Sequence, residues 1–276
     1  MNTTTFGTET RAYFPVSLAP VFVGDAASQV QDYRAVVRED TGAVLGIHRG
    51  AYKLVPNREV FEPFDEAITG SGIALEGIKV EEGIAYEGRT VVREYTFPSV
   101  TLEPRIGDVV EFRLKVLNSY DASNAFRALM GGRRRLCLNG LVGREQHTLV
   151  YARHTTGFSS ERAVDGIRHA MERYLSLDAE WKRWAERDIT AETVREVFGA
   201  MPEINPKRLA YLSGAWETEA ALAGTTVWAL YNALTRWSTH APVRPGSAGN
   251  RAAIVLNREA VVRRTLASPA FDRLAA

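Results

Sequence analysis

Between Val109 and Leu117 apolar and charged residues alternate along the chain. Val110, Phe112, Leu114 and Val116 fall on one side of an extended segment, and Glu111, Arg113 and Lys115 on the other, which predicts a strand with one core face and one wet or ligand-bound face. The same period governs much of the first third. Tyr33 to Arg38 and Ala43 to His48 flank Asp40-Thr41-Gly42, where glycine supplies the positive φ of a tight reversal, so the pair reads as a hairpin. Glycines at 77, 83, 88 and 107 divide further β-branched and aromatic runs such as Arg89 to Phe97. Arg135 to Val142 and His147 to Arg153 read as two later strands. The sheet is expected to be antiparallel.

A period of three to four takes over elsewhere. Asn57 is placed to cap a short helix from Arg58 to Ile68, with Val60, Phe61, Phe64 and Ile68 on one face. Ser159 or Ser160 opens a long helix on which Val164, Ile167, Met171, Tyr174, Trp181 and Trp184 recur at helical steps. Thr190 caps a helix to Met201, Asn205-Pro206 starts another, and Asn250 to Leu266 forms the last, after a Pro/Gly-rich break over 241–249. The pattern predicts an α+β fold: a β-rich half over 1–157, packed with a long helix, then a mostly helical region over 158–276.

Composition is that of a globular chain, 45% hydrophobic and 24% charged. No apolar run approaches a membrane span, the first residues lack the pattern of a secretory signal, and the single Cys137 makes no internal disulfide, so a cytoplasmic protein is expected. Cys137, between Leu136 and Leu138, reads as a buried, inert thiol. No spacing of Cys, His or carboxylates suggests a metal or cofactor, and no catalytic constellation stands out.

The net charge of +1 is unevenly distributed. Residues 1–100 carry 14 acidic against 9 basic side chains, whereas 113–153 carry eight basic residues against Asp121 and Glu145. This basic island, and the Gly131-Gly132-Arg133-Arg134-Arg135 run within it, has the chemistry of a phosphate cradle, since glycine admits close approach and arginine offers paired donors. The competing reading is a solvated charge run.

Three ordered segments resemble a known family: Asn118-Ser119-Tyr120-Asp121-Ala122-Ser123, then Gly131-Gly132-Arg133-Arg134-Arg135-Leu136-Cys137-Leu138-Asn139-Gly140-Leu141, then Arg153-His154-Thr155, preceded by Tyr52-Lys53-Leu54-Val55-Pro56-Asn57-Arg58. Together they resemble the phage/plasmid-like proteins catalogued as domain of unknown function 932. Tyr120 stands where that family usually has His, and Ala122 where it usually has Gly, so a metal or general-base role at position 120 is not carried over to this chain.

The resemblance and the basic island together lead to the expectation of a non-enzymatic, mobile-element protein that binds single-stranded DNA, in recombination or annealing, and that assembles as a homo-oligomer. The expected contacts are Arg113, Lys115, Asn118, Tyr120, Arg127, Arg133, Arg134, Arg135, Asn139, Arg153 and His154, with Tyr120 as a stacking platform. Two alternatives compete: a protein-interaction adaptor or inhibitor docking through the tryptophan-bearing helices, and a metal-dependent nuclease built on Glu111, Arg113 and Lys115 of one strand face with Asp108 nearby.

Overall fold

The computed structural model describes residues 10–25, 28–70, 77–123, 126–143, 148–152 and 160–275. The first sheet is a three-stranded antiparallel meander of β1 (Val16–Val23), β2 (Ser28–Arg38) and β3 (Val44–Arg49), and the expected hairpin turns at Gly42 with φ +73°. Helix α1 (Asn57–Gly70) follows and buries Val60, Phe61, Phe64 and Ile68, as its periodicity demands.

The second sheet runs β4 (Lys79–Ala85), β5 (Thr90–Leu102), β6 (Val110–Ser119), β7 (Phe126–Arg134) and β8 (Gly140–Val142), all antiparallel to their neighbours, with β9 (Thr148–Ala152) pairing β7 beside β8. The helices are α2 (Ser160–Leu175), α3 (Asp178–Glu186), α4 (Ala191–Gly199), α5 (Pro206–Ala223), α6 (Val227–His240), α7 (Arg251–Leu266) and α8 (Pro269–Ala275). Thr190 and Asn205 cap α4 and α5 by accepting from the N–H groups of Thr193 and Arg208. The chain is therefore α+β.

Two expected elements change. Arg135 to Asn139 is a turn rather than the start of a strand, and the strand lies earlier, at β7, which runs through Gly131 and Gly132. A Cβ at Gly131 would collide with the Leu141 backbone oxygen and one at Gly132 with the Val110 side chain, so the glycines let strands and core approach closely. The long helix divides into α2 and α3, as Leu177 N–H bonds back to Tyr174 at 3.0 Å and Ser176 Oγ to the Arg173 carbonyl at 2.7 Å.

The main core lies on one face of the larger sheet. Val110, Phe112, Leu114 and Val116 meet α1, α2, α3 and α6 there, through Phe112 on Tyr174 at 5.2 Å and Trp181 on Trp228 at 5.4 Å between ring centroids. Trp181, Trp184, Trp228 and Trp237 are all buried, so the docking surface expected of these tryptophans is instead core packing.

The other face corrects the sequence reading. It is not wet: α7 lies across it, Ala252 and Leu256 pack on Val92, Leu117 and Leu129, and Glu111, Arg113 and Lys115 are buried. β6 is consequently buried along its whole length.

Candidate functional site

Register fixes which side chains share the α7 face. Glu94 pairs with Lys115 and Lys115 with Leu129, while Thr96, Arg113 and Gly131 form the next row. Above them α7 supplies Glu259, which accepts from Lys115 Nζ at 2.7 Å and Arg113 Nη2 at 3.1 Å. Glu94 lies 3.4 Å from Lys115 and 3.5 Å from Arg113, and Arg133 reaches Glu81 at 2.9 Å. Burial alone would raise the Glu259 and Glu94 carboxyls, but the adjacent cations outweigh it and hold both below the usual range. The result is a charge-balanced ladder between sheet and helix, with Gly140 bare of side chain because a Cβ there would strike the Arg113 guanidinium.

Arg134 points to the opposite side, as strand alternation requires. It is buried, binds Asp108 through Nε and Nη2 at 2.5 and 2.6 Å, and donates from Nη1 to Glu219 at 2.5 Å. Trp228 Nε1 completes Asp108 at 2.8 Å. Asn139 donates to Glu219 and to the Asn232 carbonyl, tying the β7–β8 turn to α5 and α6. Arg135 pairs with Glu111 at 2.7 Å. The arginine run is thus not a phosphate cradle: each guanidinium has a carboxylate of its own chain. Asp108 and Glu111, the pair considered for a nuclease centre, are each committed to an arginine. Cys137 is half-buried rather than fully buried, and burial pushes its thiol up, with Arg134 opposing.

The family-like segments meet in a second buried network. Asn118 Nδ2 donates to Asn57 Oδ1 at 2.9 Å, Asn57 Nδ2 donates to the Ala12 carbonyl, and the Asn57 N–H donates to Tyr120 Oη at 2.9 Å. Tyr120 is fully buried and cannot serve as a stacking platform; burial pushes its hydroxyl up. His48 contacts the Tyr120 carbonyl at 2.6 Å and stacks on Tyr52 at 3.9 Å between centroids. Asn118 and Tyr120 therefore join the smaller sheet, α1 and β6 rather than face solvent. Arg153 and His154 lie outside the described residues.

Of the expected contacts, Arg127 alone leads to a different surface. It pairs in register with Leu117 on the α7 face, at the end of β7, and its Nε is buried with no hydrogen-bond partner among the described residues. One turn of α7 beyond Glu259 stands Arg263, followed by the exposed Arg264. Burial holds the Arg263 guanidinium below the usual arginine range; Glu259 opposes this, while Arg127, Arg113 and Arg264 add to it. Beside them opens a cleft of about 680 Å³ lined by Glu203, Asn257, Ala260, Arg263 and Arg264 among others.

The opposite edge of α7 is also basic. Arg258 donates to the Ala241 and Pro242 carbonyls, Arg251 to the Thr239 carbonyl, and Arg208 and Arg258 lie over the Trp237 ring at 4.8 and 5.7 Å. Burial lowers Arg258, with Arg251 and Arg208 contributing. Half-buried Tyr211 has its hydroxyl raised by burial, against the pull of Arg236, Arg258 and Arg251. Sequence reasoning missed this helix as a site. Its signal in the sequence is four arginines and one glutamate within Arg251–Leu266, sparser than the basic island upstream.

Fold and site together define an α+β protein with a neutralised charge layer inside and surplus arginines along its last long helix. The chain belongs to the family described as Domain of unknown function (DUF932), whose model matches residues 44–261. No curated protein and no solved structure matches it.

Among the described residues, no helix is long and apolar enough to cross a membrane, and no group of three or more His, Cys, Asp or Glu could hold a metal ion.

Proposed function

We propose that this protein is a non-enzymatic, single-stranded nucleic-acid-binding protein of a mobile element, and that it engages the strand along α7 rather than through the arginine run of β7. One observation carries this reading. Arg127, Arg251, Arg258, Arg263 and Arg264 form no ion pair among the described residues, Glu259 offsets Arg263 only in part, and Arg258 and Arg263 have further arginines as neighbours. Like charges held together at a partly desolvated surface are unfavourable unless an anion joins them. A phosphodiester backbone supplies repeated negative charge, and Tyr211 beside Arg236, Arg251 and Arg258 offers a ring to an unpaired base.

The test is fluorescence anisotropy with a labelled single-stranded oligonucleotide and its duplex, without magnesium, at low and physiological salt. Single-strand affinity is expected to fall steeply with salt, by a log–log slope of about 0.7 per phosphate neutralised. Replacing Arg258, Arg263 and Arg264 together by Gln should abolish binding, whereas Arg133→Gln should leave it unchanged. Absence of binding to either form at low salt would sink the proposal.

A further inference from the structure

We propose that the cleft beside the second half of α7 is a phosphate-binding pocket, with Arg263 as its recessed anchor and Arg264 at its rim. The pocket rests on the nucleic-acid reading only for what carries the phosphate.

Four independent features converge there. The cleft, about 680 Å³, has the size of a small-ligand site, and Ala260 on its wall leaves room beside the guanidinium groups. Glu259, the carboxylate one turn before Arg263, is already bound by Lys115 and Arg113 and so offsets only part of the positive charge there. Arg127, on the strand face that α7 covers, adds like charge to Arg263, and its buried Nε lacks a partner among the described residues, so the local field is positive from two elements rather than one helix. Asn257, two turns before Arg264 on the same side of α7, adds a neutral donor to the lining.

Planar guanidinium groups present paired N–H donors that match phosphate oxygens. Glu203 is the acid in the wall; it lies 3.9 Å from Arg208 and is exposed, so it limits affinity without filling the site. The pocket therefore takes a tetrahedral, multiply charged phosphate in preference to a halide.

Inorganic pyrophosphate is the probe for the pocket, and a labelled oligonucleotide is the probe for its carrier. In thermal-shift measurements on the full chain, pyrophosphate at millimolar concentration should raise the melting temperature saturably, beyond sodium chloride of equal ionic strength. Arg263→Gln should abolish the shift, Glu203→Gln should tighten the apparent affinity severalfold, and Arg264→Gln, an exposed change that leaves the fold intact, should weaken it. Oligonucleotide affinity should fall about tenfold in Arg263→Gln, the loss expected for one charge-assisted contact. A pyrophosphate shift no larger than the salt control, or equal in wild type and Arg263→Gln, overturns the pocket, even if the oligonucleotide binds. A shift lost in Arg263→Gln with no oligonucleotide binding supports the pocket and instead fells the nucleic-acid reading, leaving a small phosphate compound as the ligand.

Discussion

Glu259 and Arg134 show how a charged side chain can hold a fold together without serving as a site. Glu259 is buried, yet its carboxyl stays ionised because Lys115 and Arg113 lie within hydrogen-bonding distance. Its folded pKa is depressed below the ordinary 4.5, so its stabilising contribution is present above that value and is lost as pH falls through the lower, folded one. Denaturant midpoints measured from pH 7 downward should decline below about pH 4.5, and Glu259→Gln should flatten that decline. At neutral pH the same substitution should cost about 3–5 kcal/mol, the penalty for leaving buried cations short of a partner. Arg134→Met should behave alike at neutral pH, since it strands both Asp108 and Glu219; a loss below about 1 kcal/mol in urea unfolding would contradict a buried ionic clamp. Tyr120→Phe removes the hydroxyl that accepts the Asn57 N–H and also bonds the Asn118 side chain, and should cost about 1–2 kcal/mol, with no change in oligonucleotide affinity.

Strands and helices show why some elements were readable and others were not. The Gly42 hairpin, the apolar face of β6, and the Thr190 and Asn205 caps follow from local chemistry, and the structure has them where the sequence places them. β7 does not follow from local chemistry. Its Gly131-Gly132 pair has the composition of a turn, and only the approach of Leu141 from β8 and Val110 from β6 explains glycine inside a strand. Gly131→Ala should therefore cost about 1–3 kcal/mol, because the clash is with backbone that cannot move aside. Gly199→Ala, with nothing within 4 Å of the added Cβ, should be neutral to slightly stabilising in the same unfolding assay. The polar face of β6 was legible as a stripe of Glu111, Arg113 and Lys115, but its cover lies about 150 residues further along the chain, as the Lys115–Glu259 bond spans 144 positions.

At the scale of the whole molecule, β6 is central to the larger sheet and covered on both sides, by the aromatic core and by α7. Amide hydrogen exchange should find β6 opening only with global unfolding, while the solvent-facing edge strand β1 exchanges through smaller, local openings. What the sequence determined by itself was what depends on neighbours: strand and helix periods, turn and cap positions, the α+β order, and the four segments that mark the family. The three of those segments that lie among the described residues fasten distant parts of the chain together, Asn57 to Asn118 and Asn139 to Asn232. Only the tertiary structure decided where charge is free. The basic island of 113–153 is neutral in space wherever its side chains are described, except at Arg127, because Glu81, Glu94, Asp108, Glu111, Glu219 and Glu259 arrive from distant segments. Electrostatic energy depends on distance through space, so a count along the chain could locate the cations but not the ones still lacking an anion.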